Sequence, residues 1–201
     1  LGQEVGCLFT GQMHTTEFLN ISSAIVPERT AAVFEQRRLS FQRMQTRVNR
    51  LANALSALGV GPGDRVAMVD VNCPELMEAY MASAQLDAIF VPLNYRARAD
   101  ELAYMLGASE PAVLLVGQRY AELVRSVVQS DGLTARLVSV EKPQDPWLFY
   151  DRLLEQSSED QQHFPTGDDR DTTLLLFTAG TTGRPKAAVL NHDSFSSYML
   201  S

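Results

Sequence analysis

Lys186 is one of only two lysines in a 201-residue chain that carries fifteen arginines, and it closes a loop of hydroxyls and glycines: Thr178, Ala179, Gly180, Thr181, Thr182, Gly183, Arg184, Pro185. Gly180 and Gly183 permit backbone angles closed to other residues. Successive N–H groups in such a loop, that of Ala179 included, can converge into an anion-binding concavity. Thr178, Thr181 and Thr182 add three hydroxyl donors, and Lys186 a full positive charge. Few anions other than a polyphosphate would use so many donors so close together. A Gly-Thr-rich hairpin with a solvated lysine is the simpler alternative, and the scarcity of lysine elsewhere weighs against it.

Two familiar phosphate loops are excluded. The G-x-x-x-x-G-K-[ST] pattern needs a helix after its lysine; here Pro185 precedes Lys186 and an apolar, strand-like run follows. The dinucleotide pattern G-x-G-x-x-G is absent as well. The expected support is therefore a strand on each side, Thr173 to Thr178 and Lys186 to Asn191, with the phosphate held by a hairpin over 177–188. The failed lysine-loop pattern also disfavours a GTPase-like phosphate binder.

The elements that must position this hairpin are legible upstream. Phe41, Met44, Val48, Leu51, Leu55 and Leu58 recur at helical spacing, and Gly59 ends that helix. Arg43, Arg47 and Arg50 fall off the apolar face and read as a solvated stripe. A shorter helix over Thr16 to Ile25, capped by Thr16, and strands over Thr30 to Phe34 and Arg38 to Phe41 precede it. Residues 1–15 read as an extended lead-in.

After the Gly61-Pro62-Gly63-Asp64 turn the chain alternates. Strands are expected over Arg65 to Val71, Ala88 to Val91, Ala112 to Val116 and Arg136 to Val140. Helices are expected from Pro74 to Gln85 (Leu76, Met77, Tyr80, Met81 and Ala84 inward), Asp100 to Leu106, Arg119 to Val128 and Trp147 to Leu154. A loop runs through Pro92 and Asn94. Such alternation implies parallel pairing and right-handed crossovers. The fold class is α/β, an open, mostly parallel sheet flanked by helices on both faces and ending in the phosphate-loop hairpin. Two parts are expected: an N-terminal segment, 1–64, and an α/β unit, 65–201.

Composition sets the remaining bounds. The net charge of −7 is concentrated in Glu155, Glu159, Asp160, Asp168, Asp169 and Asp171, opposed by Arg170. Residues 156–170 read as a polar surface linker, and Asp168, Asp169 and Asp171 as a solvated acidic loop rather than a metal site. The absence of a basic face argues against nucleic acid. Cys7 and Cys73 have no metal-ligand spacing and read as reduced thiols. No apolar run reaches the ~20 residues of a membrane span. The expectation is a cytosolic protein, with peripheral membrane contact left open.

At the loop, Phe177 to Lys186 resembles the phosphate-loop signature of the adenylate-forming enzymes: acyl-CoA synthetases, adenylation domains of peptide synthetases and beetle luciferases. Val48 to Leu55, Gly59 to Val66, Asn72 to Glu75, Phe90 to Asn94, Glu101 to Leu106 and Asn191-His192 are similar to the stretches surrounding that signature, so the likeness covers about residues 16 to 201. It implies ATP-dependent activation of a carboxylate, fatty or aryl with a fatty acid preferred, to an acyl-adenylate and pyrophosphate, followed by thioester formation with coenzyme A. It implies catalytic roles for Lys186 and Thr181, with Thr181 nearest the Mg²⁺. Thr178, Ala179, Gly180, Thr182 and Gly183 would surround the phosphates, and His192 matches a frequent, mainly structural histidine.

Two residues depart from the signature. Ala179 removes a hydroxyl or glycine, and Ala187 replaces a glycine. The family's aromatic-Gly-x-Thr-Glu motif, its ribose-binding Asp, its hinge and its mobile C-terminal domain with an adenylation lysine are not in these 201 residues. The resemblance therefore implies an N-terminal portion, inactive alone, whose residues 1–64 pack on a second subdomain. Transfer to a carrier-protein phosphopantetheine, and a non-catalytic nucleotide-binding module, are the alternatives.

Overall fold

The computed structural model describes residues 14–178 and 185–200. The N-terminal elements are α1 (Thr15–Ile25), the hairpin β1 (Thr30–Phe34) and β2 (Arg37–Ser40), and α2 (Phe41–Ala57). The alternating part follows: β3 (Arg65–Val69), α3 (Pro74–Gln85), β4 (Ile89–Leu93), α4 (Ala99–Ser109), β5 (Val113–Val116), α5 (Ala121–Asp131) and β6 (Arg136–Ser139). A two-residue strand β7 (Leu148–Phe149), α6 (Tyr150–Glu155), β8 (Thr172–Thr178), β9 (Lys186–Asn191) and α7 (His192–Leu200) complete it. No helix among the described residues is long and apolar enough to cross a membrane.

One sheet of seven strands, ordered β7-β6-β5-β3-β4-β8-β9, organises the molecule. All its pairs are parallel except β8 with β9. The sheet's strand order explains its layers. From β3 the chain moves out to β4 on one side and then returns past β3 to β5 on the other. Right-handed crossovers in opposite directions put their helices on opposite faces.

Alternation along each strand feeds two cores. Val66, Met68, Val113 and Leu115 face a cluster completed by α2, α3 and α6; Ala67, Val69, Leu114 and Val116 face one completed by α4 and α5. The apolar face of α2 thus lies in the main core: Met44, Val48, Leu51 and Leu55 are all at most 2% exposed. The boundary drawn at residue 64 runs through the middle of this core.

Several local expectations are corrected. The cap of α1 is His14, whose side chain accepts from the Thr16 backbone N–H; Thr16 is already helical. Pro92 is in β4, where it pairs with Met68. The segment expected as a helix from Trp147 begins as β7, and the one expected from Arg119 begins as a 3₁₀ turn, Gln118–Tyr120.

Helix α3 buries Glu78 completely, while Met77 is 42% exposed. Polarity misleads there because Glu78 is neutralised within the fold. Arg47 Nε donates to Glu78 Oε1 at 2.7 Å, and the Tyr150 hydroxyl donates to Oε2 at 2.6 Å. Arg47 is therefore no solvated side chain; its charge also lies 4.0 Å from Glu75 and 3.8 Å from Asp151. A buried carboxylate is tolerated when its lone pairs are filled in this way.

The acidic linker is likewise tied down. From β7 the chain must return across five strand positions to reach β8, roughly 24 Å at ~4.8 Å per strand. It crosses over α2, and α2 holds it with amides. Asn49 donates to the Glu159 carbonyl, and Asn53 to those of Ser158 and Asp160. Arg50 donates to the Leu154 and Ser157 carbonyls and pairs with Glu159 at 3.1 Å. Part of the arginine and asparagine content of α2 thus serves as a strap anchor.

Candidate functional site

The site is built on the β8–β9 hairpin. Leu174 pairs with Phe90 of β4, so β8 continues the parallel sheet and ends at its carboxyl edge. In open α/β sheets that edge is where ligands bind. From there β9 runs back antiparallel, with Thr178 opposite Lys186 and Phe177 opposite Ala187.

Thr178 and Lys186 form the last cross-strand pair before the loop. The Thr178 hydroxyl donates to the Lys186 carbonyl at 3.2 Å, which locks the strand ends together. Both side chains lie on the exposed rim. Ala179, Gly180, Thr181, Thr182 and Gly183, the remaining predicted site residues, lie outside the described residues. Beneath the rim, Phe177, Thr178 and Pro185 enclose a small cavity of about 50 Å³ with Asn94, Ala97, Glu101 and Met105. The start of α4 therefore packs directly under the hairpin mouth. An exposed ammonium beside a hydroxyl at this edge suits an anion.

His192 sits at the far end of β9, about 20 Å from Lys186 at ~3.4 Å per residue. It is 2% exposed. Its Nδ1 lies 2.8 Å from the Thr15 hydroxyl, and its ring packs on His14 with centroids 3.7 Å apart. Burial, with the neighbouring His14, pushes its pKa down to about 4, while Asp87 and Asp171 oppose that shift. The imidazole is thus neutral and joins α7 to α1, away from the loop.

One feature at the carboxyl edge carries no sequence motif. Asp70, just beyond β3, is 6% exposed, and Gly117, just beyond β5, lies against it. A Cβ on Gly117 would come within 2.4 Å of the Asp70 carboxylate. Asp70 Oδ1 accepts from the Val71 N–H at 2.7 Å, while the Cys73 thiol is 3.9 Å from Oδ2. Burial raises the Asp70 pKa to about 6, with Glu141 and Glu75 adding to it. The Cys73 thiol is pushed up to about 12 by the same burial, with the Asp70 carboxylate adding to it, so it is held as the thiol at neutral pH. The signal was an aspartate ending one apolar strand and a glycine ending its neighbour, visible only once the two strands are known to be adjacent.

Comparison with known proteins places this hairpin in context. The profile of the AMP-binding enzyme family matches residues 21–201, which includes β8, the loop and β9. The chain belongs to the AMP-binding enzyme family.

Its relatives within that family are CoA ligases. It is 33% identical over 185 residues to the indoleacetate–CoA ligase of Aromatoleum aromaticum, covering 92% of this chain and 36% of that protein. It is 36% identical over 170 residues to a feruloyl-CoA synthase of an Amycolatopsis species, covering 85% of this chain and 32% of that one. The crystal structure of an anthranilate CoA ligase in complex with anthranoyl-AMP has the same fold: TM-score 0.86 at 24% identity, covering 90% of this chain and 35% of that one. The chain thus spans about a third of the length of these AMP-binding enzymes.

Proposed function

We propose that this chain is the phosphate-binding portion of an acid–thiol ligase that activates a carboxylate with ATP and passes it to coenzyme A. The observation that carries the reading is the Thr178–Lys186 pair at the mouth of a hairpin on the sheet's carboxyl edge, within an AMP-binding family match.

In the proposed reaction a carboxylate oxygen attacks the α-phosphorus of ATP. The bond to the bridging oxygen breaks, and pyrophosphate leaves. The thiol sulfur of coenzyme A then attacks the acyl carbon, its proton is lost, and AMP departs as the thioester forms. Negative charge builds on the pyrophosphate in the first step, so donors fixed at that point lower the barrier. Lys186 supplies an ammonium there. Thr178 fixes the strand ends, and Thr181 and Thr182 are assigned as further hydroxyl donors from their place in the loop sequence. Thr181 is the residue assigned to Mg²⁺, which when bound would neutralise charge on the phosphates.

Both fatty and aryl acids stay in the proposed substrate class. The relatives named above act on indoleacetate and ferulate, so aryl as well as alkyl carboxylates belong in the substrate class. The 201-residue chain by itself is proposed to make no acyl-adenylate, because the groups assigned to ribose, a second metal contact and the adenylation lysine lie outside it. Incubating the isolated chain with ATP, labelled pyrophosphate and a panel of acids should give no exchange; measurable exchange would refute this. In the protein that carries the whole ligase, Lys186→Ala and Thr181→Ala should each cut carboxylate-dependent exchange by roughly 10²-fold, the scale on which transition-state donors act. Unchanged rates in both variants would sink the assignment.

A further inference from the structure

A sizeable cavity among the described residues lies at the opposite corner from the hairpin. It is a groove of about 660 Å³ at the amino ends of β6 and β7, on the sheet edge away from β9. Leu58, Val128, Leu137, Pro146 and Leu148 form apolar walls, while Arg125 and Arg136 stand at the rim beside Trp147. That volume falls within the ~300–1,000 Å³ of small-molecule sites, which are also mostly apolar with a few placed polar groups.

Arg125 has neutral partners and one exposed carboxylate partner, while Arg136 meets a backbone carbonyl. The Arg125 guanidinium stacks 5.1 Å from the Trp147 ring and donates to Gln144 Oε1 at 2.8 Å and to the Asp145 carbonyl at 3.4 Å. It also donates to Glu122 Oε1 at 3.4 Å, an ion pair whose carboxylate is 87% exposed and so weakly held. Arg136 donates to the Leu58 carbonyl. Two guanidinium groups thus stand beside an apolar groove, in a chain whose net charge is −7. Guanidinium groups match a carboxylate, and the walls match an alkyl or aryl body.

We propose that this groove is a second binding site, separate from the phosphate hairpin, for an amphiphilic carboxylate whose head pairs with Arg125 and Arg136 and whose apolar body lies against Leu137 and Leu148. The inference stands on the groove alone and does not depend on the ligase reading.

Trp147 is the sole tryptophan of the chain, so its emission reports on this groove directly. Titrating the protein with decanoate should change Trp147 emission saturably. Arg136→Glu should raise the half-saturating concentration at least about tenfold, the effect of losing one charged contact, and Arg125→Gln should act in the same direction. Decanol, equally long but uncharged, should bind at least about tenfold more weakly to the unaltered protein, a comparison that needs no variant. Lys186→Ala should leave the decanoate titration unchanged, which separates this groove from the hairpin. A linear, unsaturable response, equal half-saturation for decanoate and decanol, or loss of the response in Lys186→Ala would each overturn the proposal.

Discussion

Asp70 and His192 are both buried titratable groups, and they act on stability with opposite sign. Folding raises the Asp70 pKa to about 6 from its ordinary 3.8. Between these values the folded chain holds a proton that the unfolded chain has lost, so this group's contribution falls as pH rises through that window. Above pH 6 a desolvated carboxylate remains as a cost. Asp70→Asn keeps an oxygen for the Val71 N–H and removes the charge. It should raise stability at pH 7 by about 1–3 kcal/mol, two pKa units being worth ~2.7 kcal/mol, and should leave it unchanged near pH 3. Urea midpoints at the two pH values test this; equal shifts at both would show that ionisation is not the cause. Residue chemistry was only partly legible from sequence. Lys186 stood out by rarity and company, whereas the burial of Glu78 was hidden because its partners, Arg47 and Tyr150, lie 31 positions before and 72 after it.

Among the elements, α1 and α7 are joined through side chains. The Tyr80 hydroxyl reaches Thr15 at 3.4 Å, Thr15 reaches His192, and His192 stacks on His14. Burial lowers the pKa of His14 as well. For both imidazoles the folded state binds fewer protons than the unfolded state, so their contribution is present above the ordinary value of 6.5. For His192 it is lost as pH falls from 6.5 toward about 4. That loss amounts to as much as about 3 kcal/mol for His192 at ~1.4 kcal/mol per unit. In His192→Asn the fall in thermal stability between pH 7 and pH 5 should shrink. In Asp70→Asn, with the opposing group removed, it should steepen. A His192→Asn profile parallel to that of the parent would show that the acid sensitivity arises elsewhere. Strands and helices themselves were largely legible, because apolar periodicity is set locally. The strap over α2 was not, because its order comes from Asn49 and Asn53 more than a hundred positions away.

At the scale of the whole molecule, two cores clamp a parallel sheet whose carboxyl edge presents the hairpin, while α2, from the N-terminal part, closes the larger core. Alternation of strand and helix made the sheet readable in advance; the place of α2 in it was not, since an amphipathic helix does not name the surface it covers. Lys186 and Thr181 are proposed to serve carboxylate activation. The most direct test is carboxylate-dependent ATP–pyrophosphate exchange by the polypeptide that joins this chain to the remaining two-thirds found in its relatives, measured across aryl and alkyl acids. The prediction is exchange with at least one acid, reduced roughly 10²-fold by Lys186→Ala or Thr181→Ala. Exchange that is indifferent to both substitutions, or none with any acid of the panel, would contradict it.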